Sequence, residues 1–150
     1  MGTLHFEITI QAPVAKVYSI MLSDEGYRKW TTVFSPGSYY IGSWEKGSKI
    51  LFLGPNEAGE PGGMVSKIVE NVPEQFVSIE HLGMVKDGAE ILSGPEVDSW
   101  VGSLENYTFE TVDGGTLLKI DMHSSGDTQM EQYFMDMWPK ALQLLKELCE

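Results

Sequence analysis

Three polar residues on two predicted strands have side chains that suit proton transfer. His81 follows Val77 and Ile79 at alternate positions, so its imidazole is predicted to share an apolar face with them. A buried imidazole can orient a ligand or act as an acid or base. Glu105 and Tyr107 share one face of a later strand, and the three groups together suit acid–base chemistry. The alternative is a core histidine whose nitrogens are satisfied by a neighbouring carboxylate or carbonyl.

Large apolar side chains are the second group of residues that could contribute to function, as the wall of a ligand cavity. Methionine thioethers and flat aromatic rings suit varied apolar ligands, and ordinary core packing is the alternative for each of them. Together with the three polar residues, they form the predicted wall of a ligand cavity. The apolar members of this wall are Trp30, Phe52, Met64, Trp100, Met122, Phe134 and Trp138.

The other reactive residue types lack the spacing that catalysis or metal binding requires. The histidines and the single Cys149 are not spaced as metal ligands, so we predict no metal and no other cofactor. No P-loop, dinucleotide-binding glycine motif or Gly-x-Ser-x-Gly nucleophile motif occurs. Asp121, His123 and Ser124 include the residue types of a catalytic triad, but their alternation fits an exposed strand end.

The predicted cavity requires a long C-terminal helix as one wall. Apolar residues recur at helical spacing from Asp127 to Glu150, and polar residues occupy the opposite side. Thr128 and Glu131 fit a capping box at its start. Pro139 removes a backbone donor and disfavours an unbroken helix by about 3 kcal/mol. Because the apolar stripe keeps its phase on both sides of the proline, we predict one kinked helix rather than two.

The rest of the chain alternates in the pattern of antiparallel strands. Leu4 to Ile10 is the first predicted strand, and two short helices follow it up to Trp30. Strands then continue to Met122, interrupted by turns and by one poorly patterned segment from Gly83 to Gly102. A segment of this length is either a binding loop or a long hairpin packed on its own side chains. We therefore predict an α+β fold in which a curved antiparallel sheet wraps around the long helix.

Length, net charge and cysteine content indicate what kind of protein this is and which partners it is suited to bind. The 150 residues predict one domain, residues 1–150, whose core is large enough to need no disulfide. The net charge of −12 argues against nucleic acid and anionic membranes, because both attract clustered cations. No apolar run approaches membrane-spanning length, and the N-terminus has no signal-peptide pattern. With Cys149 as the only cysteine, we predict a cytoplasmic protein.

Short motifs of turn and packing residues are spread along nearly the whole chain. They are Ala12-Pro13-x-x-x-Val17-Tyr18, Tyr27-x-x-Trp30, Gly42-x-Trp44-x-x-Gly47, Gly63-Met64-Val65, Glu80-His81-x-Gly83, Glu105-x-Tyr107-Thr108-Phe109, Gly114-Gly115-Thr116-x-Leu118 and Trp138-Pro139-x-Ala141-Leu142-x-x-Leu145-Lys146. In this combination they resemble the START-like (SRPBCC) superfamily. The branch they resemble most is named for the activator of heat-shock protein 90 ATPase. These motifs specify a fold better than an activity.

The resemblance implies the helix-grip fold, with a cavity between the sheet and the C-terminal helix. Relatives use this cavity for lipids, hormones, polyketides or other apolar molecules. We therefore expect a small hydrophobic or amphipathic ligand, oriented by His81 or Tyr107. Two alternatives stay open. One is an interaction module that acts on a chaperone ATPase, and the other is a cyclase- or hydrolase-type enzyme that uses His81, Glu105 and Tyr107.

Overall fold

The computed structural model describes residues 3–55, 59–123 and 128–150, with the backbone alone at position 128. In chain order these residues form β1 (Thr3–Ile10), α1 (Val14–Leu22), α2 (Asp24–Trp30), β2 (Tyr39–Gly42), β3 (Lys49–Pro55), β4 (Pro61–Val72), β5 (Phe76–Lys86), β6 (Ala89–Ile91), β7 (Leu104–Val112), β8 (Gly115–His123) and α3 (Thr128–Cys149). A single turn of 3-10 helix, Thr31–Val33, follows α2.

The strands form one curved antiparallel sheet. Their order is β1-β8-β7-β5-β4-β3-β2, and the short β6 pairs with β5 beside this path. Most neighbouring strands are also consecutive in the chain, so short connections join them, as antiparallel pairing allows. The long helix α3 packs on the inner face of the sheet. The α+β helix-grip architecture predicted from the sequence is therefore confirmed.

The inner face of the sheet carries the main core. Leu118 and Ile120 of β8 are fully buried and pair with Phe109 and Tyr107 of β7. Because alternate residues of a strand point to the same face, Glu105 is the next inward-facing residue along β7. A carboxylate therefore ends an otherwise apolar row of side chains.

The two halves of α3 differ in burial. None of the described side chains from 129 to 137 is buried. The helix contacts β1, α1 and α2. Its buried residues are Trp138, Ala141, Leu142, Leu145 and Cys149. The helix is thus firmly packed only from Trp138 onward.

Pro139 lies inside α3 without ending it, so the prediction of one helix rather than two is confirmed. The carbonyl of Met135 loses its helical partner at the proline, and Met135 is on the exposed side of the helix. Asp127, the predicted first residue, and the side chain of Thr128 in the predicted capping box lie outside the described residues.

The two short helices are positioned by polar contacts at their ends. The hydroxyl of Ser23 accepts a hydrogen bond from the amide of Gly26 at 3.0 Å and so caps α2. At the other end of α2, the indole of Trp30 donates to the carbonyl of Met21 at 3.0 Å. Trp30 is 1% exposed, which places its ring in the core below the two helices.

The poorly patterned segment from Gly83 to Gly102 contains a hairpin and a compact loop. β5 continues to Lys86, and β6 folds back beside it. A side chain at Gly83 would place its Cβ 2.2 Å from the carbonyl oxygen of Ile91, so the close approach of β6 requires glycine there. The loop that follows is anchored by Val97, which is fully buried.

We expect the second half of α3 to carry much of the stability. Leu145→Ala removes a fully buried side chain, so the free energy of unfolding should fall by about 2–5 kcal/mol. Gln143→Ala, on the exposed side of the same helix, should change it by less than about 0.5 kcal/mol. Urea unfolding of both variants measures the difference, and equal effects would contradict this packing.

Candidate functional site

A cavity of about 830 Å³ lies between the first half of α3 and the inner face of the sheet. It is partly open to solvent, and Met130 and Tyr133 on its rim are 44% and 37% exposed. The residues singled out from the sequence all line it: Trp30, Phe52, Met64, His81, Trp100, Glu105, Tyr107, Met122, Phe134 and Trp138. The structure thus brings these side chains around one space. That they bind a ligand stays a prediction.

The lining residues that were not singled out from the sequence include four with large side chains: Tyr27, Phe34, Met84 and Tyr133. Tyr133 follows Met130 by three positions, so its helical spacing was a usable signal. Phe34 had no such signal, because it follows the short 3-10 turn where neither strand nor helix periodicity applies. The alternation of β5 did not indicate Met84, because the strand is irregular just before this residue.

The irregularity is a β-bulge beside the cavity. Ser66 pairs with His81, whereas the residue before Ser66 pairs with Gly83, so Leu82 is an extra residue of β5. A bulge of this kind shifts the inward and outward alternation by one position. His81 and Met84 are three positions apart, yet both line the cavity. Strict alternation would have placed them on opposite faces.

A chain of hydrogen bonds joins four polar side chains at one wall. Ser66 Oγ lies 2.8 Å from His81 Nδ1, and His81 Nε2 lies 3.2 Å from Glu105 Oε1. The hydroxyl of Tyr107 donates to Glu105 Oε2 at 2.5 Å. A carboxylate only accepts, so the contact with Glu105 requires a hydrogen on Nε2 of His81. The sequence-predicted trio of His81, Glu105 and Tyr107 is therefore in direct contact.

Burial sets the electrostatics of this wall. The side chains of His81 and Glu105 are 12% and 14% exposed, and Ser66 and Tyr107 are almost completely buried. Burial, together with the negative charge of Glu105, raises the pKa of Tyr107 well above its usual value. Burial likewise raises the pKa of Tyr27. Both phenols therefore stay protonated, and Tyr107 remains a donor.

The arrangement can hold a proton between Glu105 and His81, with Tyr107 as a fixed hydrogen-bond donor to the carboxylate. Nucleophilic catalysis fits it less well, because Ser66 is fully buried and is not among the residues that line the cavity within the described chain. Cys149 is also buried, and burial raises the pKa of its thiol to about 11. A thiol with that pKa is not a reactive thiolate at neutral pH.

Among the residues that the structure describes, the remaining reactive groups do not assemble into a second centre. Within residues 3–55, 59–123 and 128–150, no three His, Cys, Asp or Glu side chains are placed to hold a metal ion. Asp121 contacts His5 at 2.6 Å, His123 accepts from the amide of Leu104 at 3.3 Å, and Ser124 lies outside the described residues. In the part of the chain that the structure describes, no helix has the length and apolar character to cross a membrane.

The sequence profile described as activator of Hsp90 ATPase homolog 1-like protein matches residues 11–150. The chain belongs to this family. The resemblance inferred from the sequence motifs is thereby confirmed. No functionally curated protein matches the sequence significantly.

Solved structures from this fold group superpose over almost the whole chain. The solution structure of the Aha1 dimer from Colwellia psychrerythraea is 22% identical, covers 100% of this chain and 97% of its own, and has a TM-score of 0.69. A protein from Nitrosomonas europaea is 17% identical, with coverage of 97% and 92% and a TM-score of 0.73. One from Cytophaga hutchinsonii is 15% identical, with coverage of 99% and 93% and a TM-score of 0.73. At these identities the likeness establishes the fold alone.

The raised pKa values of Tyr107 and Tyr27 predict a loss of stability at alkaline pH. Above about pH 10 the tyrosines of the unfolded chain ionise while these two stay protonated in the fold, so the free energy of unfolding falls as pH rises. Removing either phenol, in Tyr107→Phe or Tyr27→Phe, should make this decline shallower by up to about 1.4 kcal/mol per pH unit. Urea unfolding between about pH 9 and 11 measures the slope. Parallel slopes in wild type and variants would refute the assignment.

Proposed function

We propose that this protein binds a small amphipathic molecule in the cavity between α3 and the sheet. The observation that carries the proposal is a space of about 830 Å³ with one hydrogen-bonded polar wall. Ligand sites commonly have volumes of about 300–1,000 Å³ and combine apolar walls with a few convergent polar groups. Membership of a family with a helix-grip fold supports it.

The two kinds of wall have separate roles in this proposal. Aromatic rings and thioethers, such as Trp30, Phe52 and Met64, would bury the apolar part of the ligand, which contributes about 25 cal/mol per Å² before ordering costs. His81, Glu105 and Tyr107 would fix the polar end. The exposed rim at Met130 and Tyr133 would provide the entrance.

A neutral fluorescent probe, N-phenyl-1-naphthylamine, tests occupancy of the cavity. We expect its fluorescence to rise on binding to the wild-type protein. Met64→Trp fills the cavity from the inner face of β4 and should weaken binding by at least about tenfold, because the added ring takes the probe's space. Lys67→Trp adds the same ring at an exposed position of β4 outside the cavity and should leave binding unchanged. Equal binding by both variants would exclude the cavity as the site.

The second candidate function is an interaction with a chaperone ATPase. Family membership favours it, and the Colwellia psychrerythraea structure is named as an Aha1 protein. The net charge of −12 would favour a basic surface on such a partner.

For this candidate, we expect the protein to co-elute with an Hsp90-type chaperone and to raise its ATPase rate. The charge complementarity predicts that added salt weakens the complex. Gel filtration of the mixture and a coupled ATPase assay measure both effects, with an unrelated acidic protein of similar charge as the control. No co-elution and an unchanged rate would end this candidate.

A further inference from the structure

The charged side chains around the cavity are of one sign. Glu96, Glu105 and Glu131 line it, and across the described residues neither Lys nor Arg does. Glu96 forms an ion pair with Lys86 at 3.2 Å, and both side chains are about half exposed. Its charge is therefore largely screened by solvent and by its partner. Glu105 is the acidic residue of the interior.

Glu105 lacks a strong cationic partner. Its carboxylate contacts the ring of His81 and the hydroxyl of Tyr107, and within the described chain no Lys or Arg forms an ion pair with it. A buried carboxylate is stabilised by hydrogen bonds and, more strongly, by an opposite charge. A carboxylate has about four acceptor positions, and these two contacts use one on each oxygen. Glu105 can therefore accept further hydrogen bonds from a molecule in the cavity.

Aromatic rings extend from this carboxylate into the cavity. The ring of Tyr107 lies 6.2 Å from that of Trp138, and Tyr27 lies 5.8 Å from Phe52. Aromatic faces attract cations as well as apolar groups. Outside the cavity, the net charge of −12 raises the local concentration of cations and repels anions.

We propose that the ligand is a cationic amphiphile whose ammonium group donates hydrogen bonds to Glu105 and whose apolar part lies against the aromatic wall. This inference rests on the proposed function and names the class of ligand. A fatty acid or another carboxylate is disfavoured, because its charge would lie beside Glu105 with neither Lys nor Arg on the described cavity wall to offset it. Neutral alcohols would bind with intermediate strength, since they donate one hydrogen bond without a charge.

Three ligands with the same chain and different head groups test the inference. Octylammonium, octanol and octanoate are added at pH 7 to the complex with N-phenyl-1-naphthylamine, and displacement is followed by fluorescence. Octylammonium should displace the probe at a concentration at least about tenfold lower than octanoate, with octanol between them. In Glu105→Gln the displacing concentrations of octylammonium and octanoate should come within about threefold of each other, because the amide carries no charge that distinguishes the two head groups.

Glu110→Gln is the matched control. Glu110 is on the same strand but faces outward, where it pairs with Lys119, so this variant changes the net charge equally and leaves the cavity intact. It should keep the wild-type preference for octylammonium. A preference that falls equally in Glu105→Gln and Glu110→Gln would show a general charge effect and overturn the inference.

The outcomes separate the two proposals. Probe binding with equal or tighter displacement by octanoate would overturn the cationic ligand and leave the cavity function standing. No probe binding in the wild type would overturn both. The wild-type comparison tests the sign of the preference even where Glu105→Gln fails to fold.

Discussion

The packing of Trp138 against the sheet is the interaction on which the rest of the structure depends. Its ring lies 6.2 Å from Phe6 of β1, 6.2 Å from Tyr107 of β7, 5.8 Å from Trp30 of α2 and 5.2 Å from Phe34. Such aromatic pairs contribute about 0.5–1.5 kcal/mol each beyond their burial. Its buried indole nitrogen finds no hydrogen-bond acceptor within the described part of the protein, which costs about 1–3 kcal/mol. Packing against the neighbouring rings, rather than hydrogen bonding, therefore holds the side chain of Trp138 in place.

Trp138 also divides the space beneath α3 into a packed half and an open half. On its C-terminal side, Ala141 and Leu145 are fully buried, and the helix contacts β1 and the short helices directly. On its N-terminal side, Phe134 and Met130 face the cavity of about 830 Å³. Because the packed half fixes the position of the helix, the open half need not be filled for the fold to be stable. This separation lets one short chain have both a core and a cavity.

Tyr107 links this packing to the polar wall. Its ring contacts Trp138, and its hydroxyl donates to Glu105. The bulge at Leu82 makes the wall continuous, because it allows His81 and Met84 to face the same space. A carboxylate on an apolar face would be costly alone, and the hydrogen bonds from both neighbours reduce that cost.

Outside the segment from Gly83 to Gly102, which contains β6, the sequence by itself determined the order and type of the main elements, because apolar spacing is a local property that a strand or a helix displays along its own length. It also placed Glu105 and Tyr107 on one face of a strand, and His81 on the apolar face of another. Only the tertiary structure decided that these three side chains meet, since contact depends on how β5 and β7 pair. Only it showed that the first half of α3 borders a cavity. Periodicity records which side of an element faces inward, but not how far away the opposite wall lies.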